Sequence, residues 1–254
     1  MRIDGLSQIA GNFDAMLIDQ FGVIHNGQKL YPGTLRTLSE LKKHGIPVAV
    51  MTNSGKRAKA NRERLVSMGV PREHFVDAVS SGEVAFRTLQ VKHAFLIGRD
   101  GDDYGFDGIA FVDRPEQAEV ILILGSNAPK TTLEEYRRLF RGLTIPAICC
   151  NPDKLMLTPH GLQPAPGAIA ALYEEMGGKV TWIGKPYPSI FAWALKLLGN
   201  PAKTLVIGDS TEHDVAGGKA AGIATLLVMS GVSQDLDPAN VSPQPDYWME
   251  SFRW

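Results

Sequence analysis

The chain has 254 residues, 44% of them hydrophobic, and a formal net charge of −1. This length and hydrophobic content are ample for the core of one large domain or two smaller ones. The balanced charge provides no basic surface for nucleic acid or an acidic membrane, so neither is expected as a partner. No apolar run approaches membrane-spanning length and no signal peptide opens the chain, so a cytoplasmic protein is expected.

The first strongly apolar run, residues 15–18, is predicted to be a buried strand of a parallel sheet, and it ends at Asp19. A carboxylate at the end of a buried strand is costly unless something pairs with it. In open α/β sheets, ligands bind at that end of the strands. Asp19 is therefore a candidate functional residue, with an acid that merely caps a turn as the alternative.

Three later apolar runs also end on polar side chains: Thr52 and Asn53 after residues 48–51, Lys185 after residues 180–183, and Asp209 and Asp214 after residues 204–208. If the four strands are neighbours in one sheet, these side chains converge. Together they would provide carboxylates for a hard cation and donors for an anion. Each motif alone has a simpler explanation, such as a helix cap or an exposed lysine, but their joint order favours a site.

Between Thr52 and Lys185 the chain passes through a second alternation of strands and helices. We therefore predict an α/β fold in which residues 1–82 and 178–254 form a Rossmann-like, doubly wound parallel sheet. In this interpretation residues 83–177 form an inserted α/β cap domain.

Two further features have structural explanations. The basic segment that includes Lys56, Arg57 and Arg64 is expected to be a solvated helix face, with contact between Arg57 and an anion leaving the site as the alternative. The adjacent Cys149 and Cys150 are expected to be buried free thiols, because vicinal cysteines are poor candidates for an ordinary disulfide.

The ordered motifs resemble those of the haloacid dehalogenase (HAD) superfamily of phosphotransferases. The motifs are Asp19-Gln20-Phe21-Gly22-Val23, Thr52-Asn53-Ser54, Asn151-Pro152-Asp153, Gly184-Lys185-Pro186 and Gly208-Asp209-Ser210. More closely, the chain resembles the NagD-like branch, which includes pyridoxal phosphatase and phosphoglycolate phosphatase. The resemblance covers nearly the whole chain and implies a HAD core with a large α/β cap. It departs from the family at Phe21, where the family has its second acid.

The resemblance also implies a role for each site residue. Asp19 would be the nucleophile that forms an aspartyl-phosphate, and Asp214 would hold the metal-bound waters or Lys185. The implied cofactor is Mg²⁺, bound by Asp19, Asp209 and the backbone carbonyl of Phe21. The implied phosphate contacts are Thr52, Lys185, Asn53 and the backbone N–H groups of Phe21 and Gly22.

The missing second acid leaves three functions open. That acid normally protonates the leaving group and later activates water, which is worth about 10²- to 10⁴-fold in rate. We expect a phosphatase of a small phosphorylated metabolite, such as a sugar phosphate, with a replacement acid–base group or a good leaving group. The first alternative is a weak or inactive HAD-scaffold protein that binds such a metabolite. The second is another displacement at Asp19, such as carbon–halogen or carbon–phosphorus cleavage, against which the retained metal acids count.

His25 is the candidate replacement for the missing acid. It lies four residues after Phe21, in a polar, glycine-marked flap of residues 23–31, and histidine titrates near neutrality. The alternative is a structural residue that bonds the backbone or contacts the cap. The resemblance also places substrate specificity in the cap, first at residues 151–153, and leaves homodimer formation through the cap open.

Overall fold

The computed structural model describes residues 1–158 and 161–254 and divides into two units. The core unit consists of Met1–Thr52, Ala58–Val79 and Lys185–Trp254, and the inserted unit of Asn53–Arg57 and Ser80–Gly184. The described residues form thirteen strands: β1 (Ala15–Asp19), β2 (Val48–Thr52), β3 (Asp77–Ser80), β4 (His93–Ile97), β5 (Ala110–Phe111), β6 (Val120–Ile123), β7 (Ala147–Cys149), β8 (Leu155–Thr158), β9 (Gly161–Pro164), β10 (Val180–Trp182), β11 (Thr204–Gly208), β12 (Ala224–Val228) and β13 (Tyr247–Met249). They also form seven α-helices: α1 (Thr34–Lys43), α2 (Ala58–Ser67), α3 (Ser81–Thr88), α4 (Leu133–Leu139), α5 (Pro166–Glu175), α6 (Pro188–Leu197) and α7 (Ala216–Ala220). None of these described helices is long and apolar enough to cross a membrane.

The core unit is built on a six-stranded sheet with the order β13-β12-β11-β1-β2-β3. The chain runs outward from β1 through β2 and β3, and later outward from β11 through β12 and β13 on the other side. All five residues of β1 are buried, as expected for an apolar run covered on both faces. Leu38 and Leu41 of α1 share a core cluster with Met16 and Ile18 of β1. The predicted α/β fold with a doubly wound parallel sheet is confirmed.

The parallel register brings the ends of three strands to one edge of this sheet. Ile18 in β1 lies beside Ile207 in β11, and Asp19 lies beside Met51 in β2. The segments that follow β1, β2 and β11 therefore leave the sheet at the same carboxyl edge. The strand order reverses at β1, and ligands of doubly wound sheets bind in the crevice at such a reversal.

The inserted unit has its own parallel sheet, with the order β10-β7-β6-β4-β5, and an antiparallel pair of strands, β8 and β9. Its core contains Tyr136 of α4, Phe140 directly after α4, and Tyr173 of α5. These side chains pack in one cluster with residues of the sheet. Cys149 and Cys150 are buried free thiols, which confirms the prediction for them.

The prediction that residues 180–183 form a strand of the core sheet is wrong. Strand β10 pairs with β7 at the edge of the inserted unit's sheet, where Val180 lies beside Ala147. An apolar run indicates a strand but not its neighbour, which depends on a distant segment. Lys185 therefore does not end a core strand. It follows Gly184, whose φ of +129° favours glycine, and begins the last segment of the core unit.

The inserted unit also differs in extent from the predicted residues 83–177. It begins at Ser80 and includes the segment Asn53–Arg57, which directly follows β2. Within this segment, a Cβ atom at Gly55 would overlap the backbone of Leu124, so only glycine permits the close approach. The Ser80 hydroxyl donates to the carbonyl of Lys56 (2.6 Å) and fixes the same segment.

Candidate active site

Asp19 is buried at the carboxyl end of β1, in contact with a buried lysine. The ammonium group of Lys185 donates to Oδ1 of Asp19 (2.5 Å) and to Oδ1 of Asp214 (2.7 Å). All three side chains are almost completely removed from solvent. An unpaired charge would be very costly there, so the three groups depend on one another for their ionisation.

Asp209 directly follows β11, and a loop that the sequence analysis did not identify holds its carboxylate. The Val232 N–H donates to Asp209 Oδ2 (2.8 Å), and the Ser230 hydroxyl donates to the Gly22 carbonyl (2.6 Å). Gly22 and Gly231 have φ values of +92° and +52°, and a Cβ atom at either would overlap the Asp209 carboxylate. The two glycines thus allow two loops to close around this acid. A Ser-Gly dipeptide soon after an apolar run was the available signal for this turn.

Asp214 lies on a π-helical turn, Thr211–Val215, between β11 and α7. Ser210 caps this turn, because its hydroxyl accepts from the His213 N–H (3.2 Å). The Ser210 N–H also donates to Asp214 Oδ2 (3.2 Å) and so orients the carboxylate whose other oxygen contacts Lys185. Single π-helical turns inside helices are frequent at functional sites.

The carboxylates of Asp19, Asp209 and Asp214 form one cluster, in which oxygens from all three lie within 4.8 Å of one another. Lys185 supplies one positive charge against three acidic side chains, so the cluster is negative when all three are ionised. Hard divalent cations are bound by carboxylate oxygens of this kind. The donor set therefore fits a divalent cation.

The ionisation of the cluster reflects its burial and crowding. Burial raises the pKa of Asp19 well above its ordinary value; Lys185 opposes this shift and the two neighbouring aspartates reinforce it. Burial, with repulsion from Asp214, raises the pKa of Asp209 to about 6. Burial alone lowers the pKa of Lys185, but the two carboxylates that accept from it raise that pKa above its ordinary value. Lys185 is therefore a stable cation among acids whose repulsion a bound metal would relieve.

The second predicted motif is divided between the two units. Thr52 ends β2, next to β1, in the core unit. Asn53 belongs to the inserted unit, where its Nδ2 donates to Asp153 Oδ1 (2.9 Å), and the Asp153 N–H donates to Asn151 Oδ1 (3.0 Å). Asn53 and the predicted specificity motif at residues 151–153 thus form one hydrogen-bonded cluster, a link that the sequence did not predict.

Phe21 packs against the flap, which has a tight internal hydrogen-bond pattern. The Gly22 N–H donates to the carbonyl of His25 (2.9 Å), so this predicted phosphate donor is already paired. The His25 Nδ1 accepts from the Gly27 N–H (2.9 Å), and the rings of Phe21 and His25 meet edge to face at 5.9 Å. Arg64 in turn donates to the Gly27 carbonyl (3.0 Å). The flap is therefore held both from within and from α2.

His25 is only 1% exposed. Burial, with the positive charge of Arg64, lowers the pKa of His25 to about 4. The ring is consequently neutral at neutral pH, with its proton on Nε2, because Nδ1 accepts a hydrogen bond. These contacts match the alternative in which His25 is a structural residue that bonds the backbone. The acid–base role of His25 stays a prediction.

Arg57, whose contact with an anion was the open alternative, is engaged within the inserted unit. Its Nε donates to Glu83 Oε2 (2.5 Å) and its Nη1 to the Gly105 carbonyl (3.0 Å). The guanidinium lies 3.5 Å from the centroid of the Phe86 ring, and Glu83 also accepts from Arg87 (2.8 Å). These contacts anchor the segment that follows β2, which gives Arg57 a structural role.

Comparison with known proteins agrees with this arrangement. The haloacid dehalogenase-like hydrolase family matches residues 16–137, and the HAD-hydrolase-like family matches residues 182–254. Ribonucleotide monophosphatase NagD of Escherichia coli K12 is 26% identical over 92% of this chain and 94% of its own length.

Two of the similar solved structures each cover more than nine-tenths of the chain. A haloacid dehalogenase-like hydrolase from Brucella suis 1330 is 26% identical and has a TM-score of 0.87, with 98% of this chain and 99% of the other covered. A p-nitrophenyl phosphatase from Archaeoglobus fulgidus is 30% identical, with a TM-score of 0.75 and coverage of 94% and 96%. Together with the cluster of Asp19, Lys185, Asp209 and Asp214 at the carboxyl edge of the core sheet, these matches show that the chain belongs to the haloacid dehalogenase-like hydrolases, in their NagD-like branch.

Proposed function

We propose that the chain is a Mg²⁺-dependent phosphatase that removes phosphate from a small phosphorylated metabolite, such as a sugar phosphate, through an aspartyl-phosphate on Asp19. The observation that carries this proposal is the buried Asp19 carboxylate, paired with Lys185 and clustered with Asp209 and Asp214. The names of the relatives, a ribonucleotide monophosphatase and a p-nitrophenyl phosphatase, support phosphatase chemistry and differ in substrate.

Asp19 supplies the nucleophile in this mechanism. One of its carboxylate oxygens attacks phosphorus while the bond from phosphorus to the leaving oxygen breaks. Water then attacks the phosphorus of the aspartyl-phosphate, which releases inorganic phosphate and regenerates the carboxylate. Each phosphoryl transfer leaves the number of bonds at phosphorus unchanged.

Two anions meet in the first step, so the site must supply positive charge. Lys185, held by Asp214, lies beside the attacking carboxylate, which supports its proposed contact with the phosphoryl oxygens. Mg²⁺, when bound by Asp19, Asp209 and the Phe21 carbonyl, would supply further positive charge at these oxygens.

Further phosphate contacts are assigned to Thr52 and Asn53. We assign substrate specificity to the inserted unit, beginning with residues 151–153, because Asn53 is hydrogen-bonded to Asp153. A change in this cluster would then alter both the binding of phosphate and the choice of substrate.

A second candidate function is the binding of a phosphorylated metabolite without turnover. Phe21 favours it, because a phenyl ring two residues after the nucleophile has no proton to give to a leaving group. Carbon–halogen and carbon–phosphorus cleavage are less well supported, because Asp209 and Asp214 are retained in the acid cluster.

A screen of phosphorylated metabolites with Mg²⁺ would test the proposal. We expect release of phosphate by the wild type and a loss of about 10³-fold or more in Asp19→Asn. Asp14→Asn is the matched control, because Asp14 directly precedes β1, at the end of the strand opposite Asp19. Its exposed carboxylate accepts from the Lys203 N–H (2.9 Å). It should retain wild-type turnover. If one metabolite binds tightly and no metabolite is hydrolysed, the result would instead support the second candidate function, binding without turnover.

A further inference from the structure

The loop of residues 230–233 follows β12 and is held in place independently of the acid cluster. The Met229 N–H donates to the Met249 carbonyl at the end of β13 (2.8 Å), so the loop starts from a position fixed by the sheet. The Ser233 N–H donates to the Ser230 carbonyl (3.0 Å), which closes a short 3-10 turn. The loop can therefore act as a firm support for a side chain that it contacts.

This loop occupies and encloses one oxygen of the Asp209 carboxylate. Oδ2 accepts from the Val232 N–H (2.8 Å), and Asp209 is only 4% exposed. Oδ2 is also the atom that a Cβ at Gly22 or at Gly231 would overlap most, so both backbones lie directly against it. Little space is left there for a further ligand. Oδ1 is then the oxygen that Asp209 can offer to a cation.

The same loop also fixes the backbone turn that follows β1. The Ser230 hydroxyl donates to the Gly22 carbonyl (2.6 Å). Gly22 directly follows Phe21, whose own carbonyl is one of the proposed ligands of the cation. Ser230 and Val232 thus contact two different parts of the proposed metal site, the turn after β1 and the carboxylate after β11.

We propose that Ser230 and Val232 are positioning residues of the metal site, and that they restrict Asp209 to binding a cation through Oδ1 alone. This inference rests on the proposed function, in which Asp209 is a ligand of Mg²⁺. Mg²⁺ is small and demands near-ideal octahedral geometry, which a carboxylate oxygen held in one place satisfies. Ca²⁺ is larger, takes more ligands and accepts both oxygens of one carboxylate. The loop therefore favours the smaller cation.

The first test removes the Val232 N–H and measures the affinities for Mg²⁺ and Ca²⁺ by isothermal titration calorimetry. Proline has no backbone N–H, and its fixed φ suits a 3-10 turn. Val232→Pro should weaken Mg²⁺ binding by about 10- to 100-fold, the usual effect of removing a hydrogen-bond partner from a metal ligand. Ca²⁺ binding should weaken about tenfold less, because the released carboxylate can use both oxygens. Val232→Ala is the matched control: it shortens the exposed side chain, keeps the N–H, and should preserve the ratio of the two affinities.

Ser230 provides a second test that does not depend on proline. Ser230→Ala removes the hydroxyl donor and should weaken Mg²⁺ binding about tenfold, and Ca²⁺ binding less. Ser230→Thr keeps a hydroxyl and suits the extended backbone at this position, so it should restore the affinity of the wild type. Equal weakening by the two changes would show that the hydroxyl is not the cause and would overturn the inference. The Ser230 variants decide the outcome if Val232→Pro does not fold.

The possible results separate the inference from the function on which it rests. Unchanged Mg²⁺ affinity in folded Val232→Pro or in Ser230→Ala would overturn the inference. Equal losses of Mg²⁺ and Ca²⁺ affinity would also overturn it, because Asp209 would then not be restricted to one oxygen. In each of these cases the wild type still binds Mg²⁺, and the proposed function stands. If the wild type binds no Mg²⁺, the proposed metal-dependent function fails and the inference falls with it.

Discussion

His25 shows how a few backbone contacts decide the state of a single residue. The imidazole accepts from the Gly27 N–H two residues later and packs against the Phe21 ring, so its place is set within the flap. Burial lowers the pKa of His25 to about 4. Between about pH 4 and pH 6.5, His25 is therefore neutral in the folded chain but protonated in the unfolded chain. Its chemistry is therefore linked to the stability of the fold.

The contribution of His25 to the free energy of unfolding should consequently fall as the pH decreases from about 6.5 to 4. The folded pKa lies below the unfolded one, so the contribution of His25 is complete above pH 6.5 and is lost on acidification. Between pH 7 and pH 5 the loss attributable to His25 is up to about 2 kcal/mol. Urea unfolding of the wild type and of His25→Gln at pH 7 and pH 5 would measure this loss of unfolding free energy.

The His25→Gln variant should show a shallower dependence on pH than the wild type. His93→Gln, which removes an exposed histidine on β4, is the matched control. An unchanged slope in His25→Gln would contradict the assignment of a neutral, buried ring.

At the scale of elements, the segment that follows β2 is attached to α3. Arg57 reaches Glu83 in the first turn of α3, and Glu83 also accepts from Arg87 one turn later. The Glu83 side chain is only 10% exposed, so its charge is shielded from water and depends on its two arginines. The contact joins two segments of the inserted unit, Asn53–Arg57 and the start of α3.

Glu83→Gln should lower the free energy of unfolding by about 2–4 kcal/mol, because it leaves the half-buried Arg57 guanidinium without its counter-charge. Glu134→Gln is a matched control: Glu134 on α4 also lies near two arginines, at 3.7 and 3.6 Å, but is 60% exposed. That change should cost about 0.5 kcal/mol or less. Chemical unfolding of both variants would measure the two free energies of unfolding. Equal decreases would show that the contacts of Glu83 contribute no more than those of the exposed Glu134.

At the scale of the whole molecule, the acid cluster is assembled from distant parts of the chain. Asp19 and Asp209 come together because β1 pairs with β11, although the inserted unit separates the two strands in sequence. Burial, with repulsion from Asp214, raises the pKa of Asp209 to about 6. Binding of a cation and of a proton should therefore compete at this site.

The affinity for Mg²⁺ should rise about tenfold between pH 5 and pH 7, as Asp209 loses its proton. Isothermal titration calorimetry at both pH values would measure this change. Loss of binding is expected in the double variant Asp19→Ala plus Asp209→Ala, whereas Asp14→Asn should bind as the wild type does. The same Mg²⁺ affinity in the double variant and the wild type would exclude the cluster as the metal site.

The sequence by itself determined where three core strands end and which side chains end them. The runs before Asp19, Thr52 and Asp209 are apolar and are followed at once by polar residues, and such signals are local. Parallel pairing brings strand ends to one edge, so Asp19 and Asp209 converge once β1 and β11 are neighbours. The position of Asp214 was also predictable, because it lies a few residues from Asp209.

Only the tertiary structure decided which partner each remaining element would have. The strand before Lys185 joined the inserted unit's sheet, Arg57 paired with Glu83, and the loop with Gly231 closed around Asp209. Each outcome depends on contact between segments far apart in the chain. Many segments of similar composition can make such a contact, so the local pattern indicates a strand, a basic residue or a turn without specifying what it will meet.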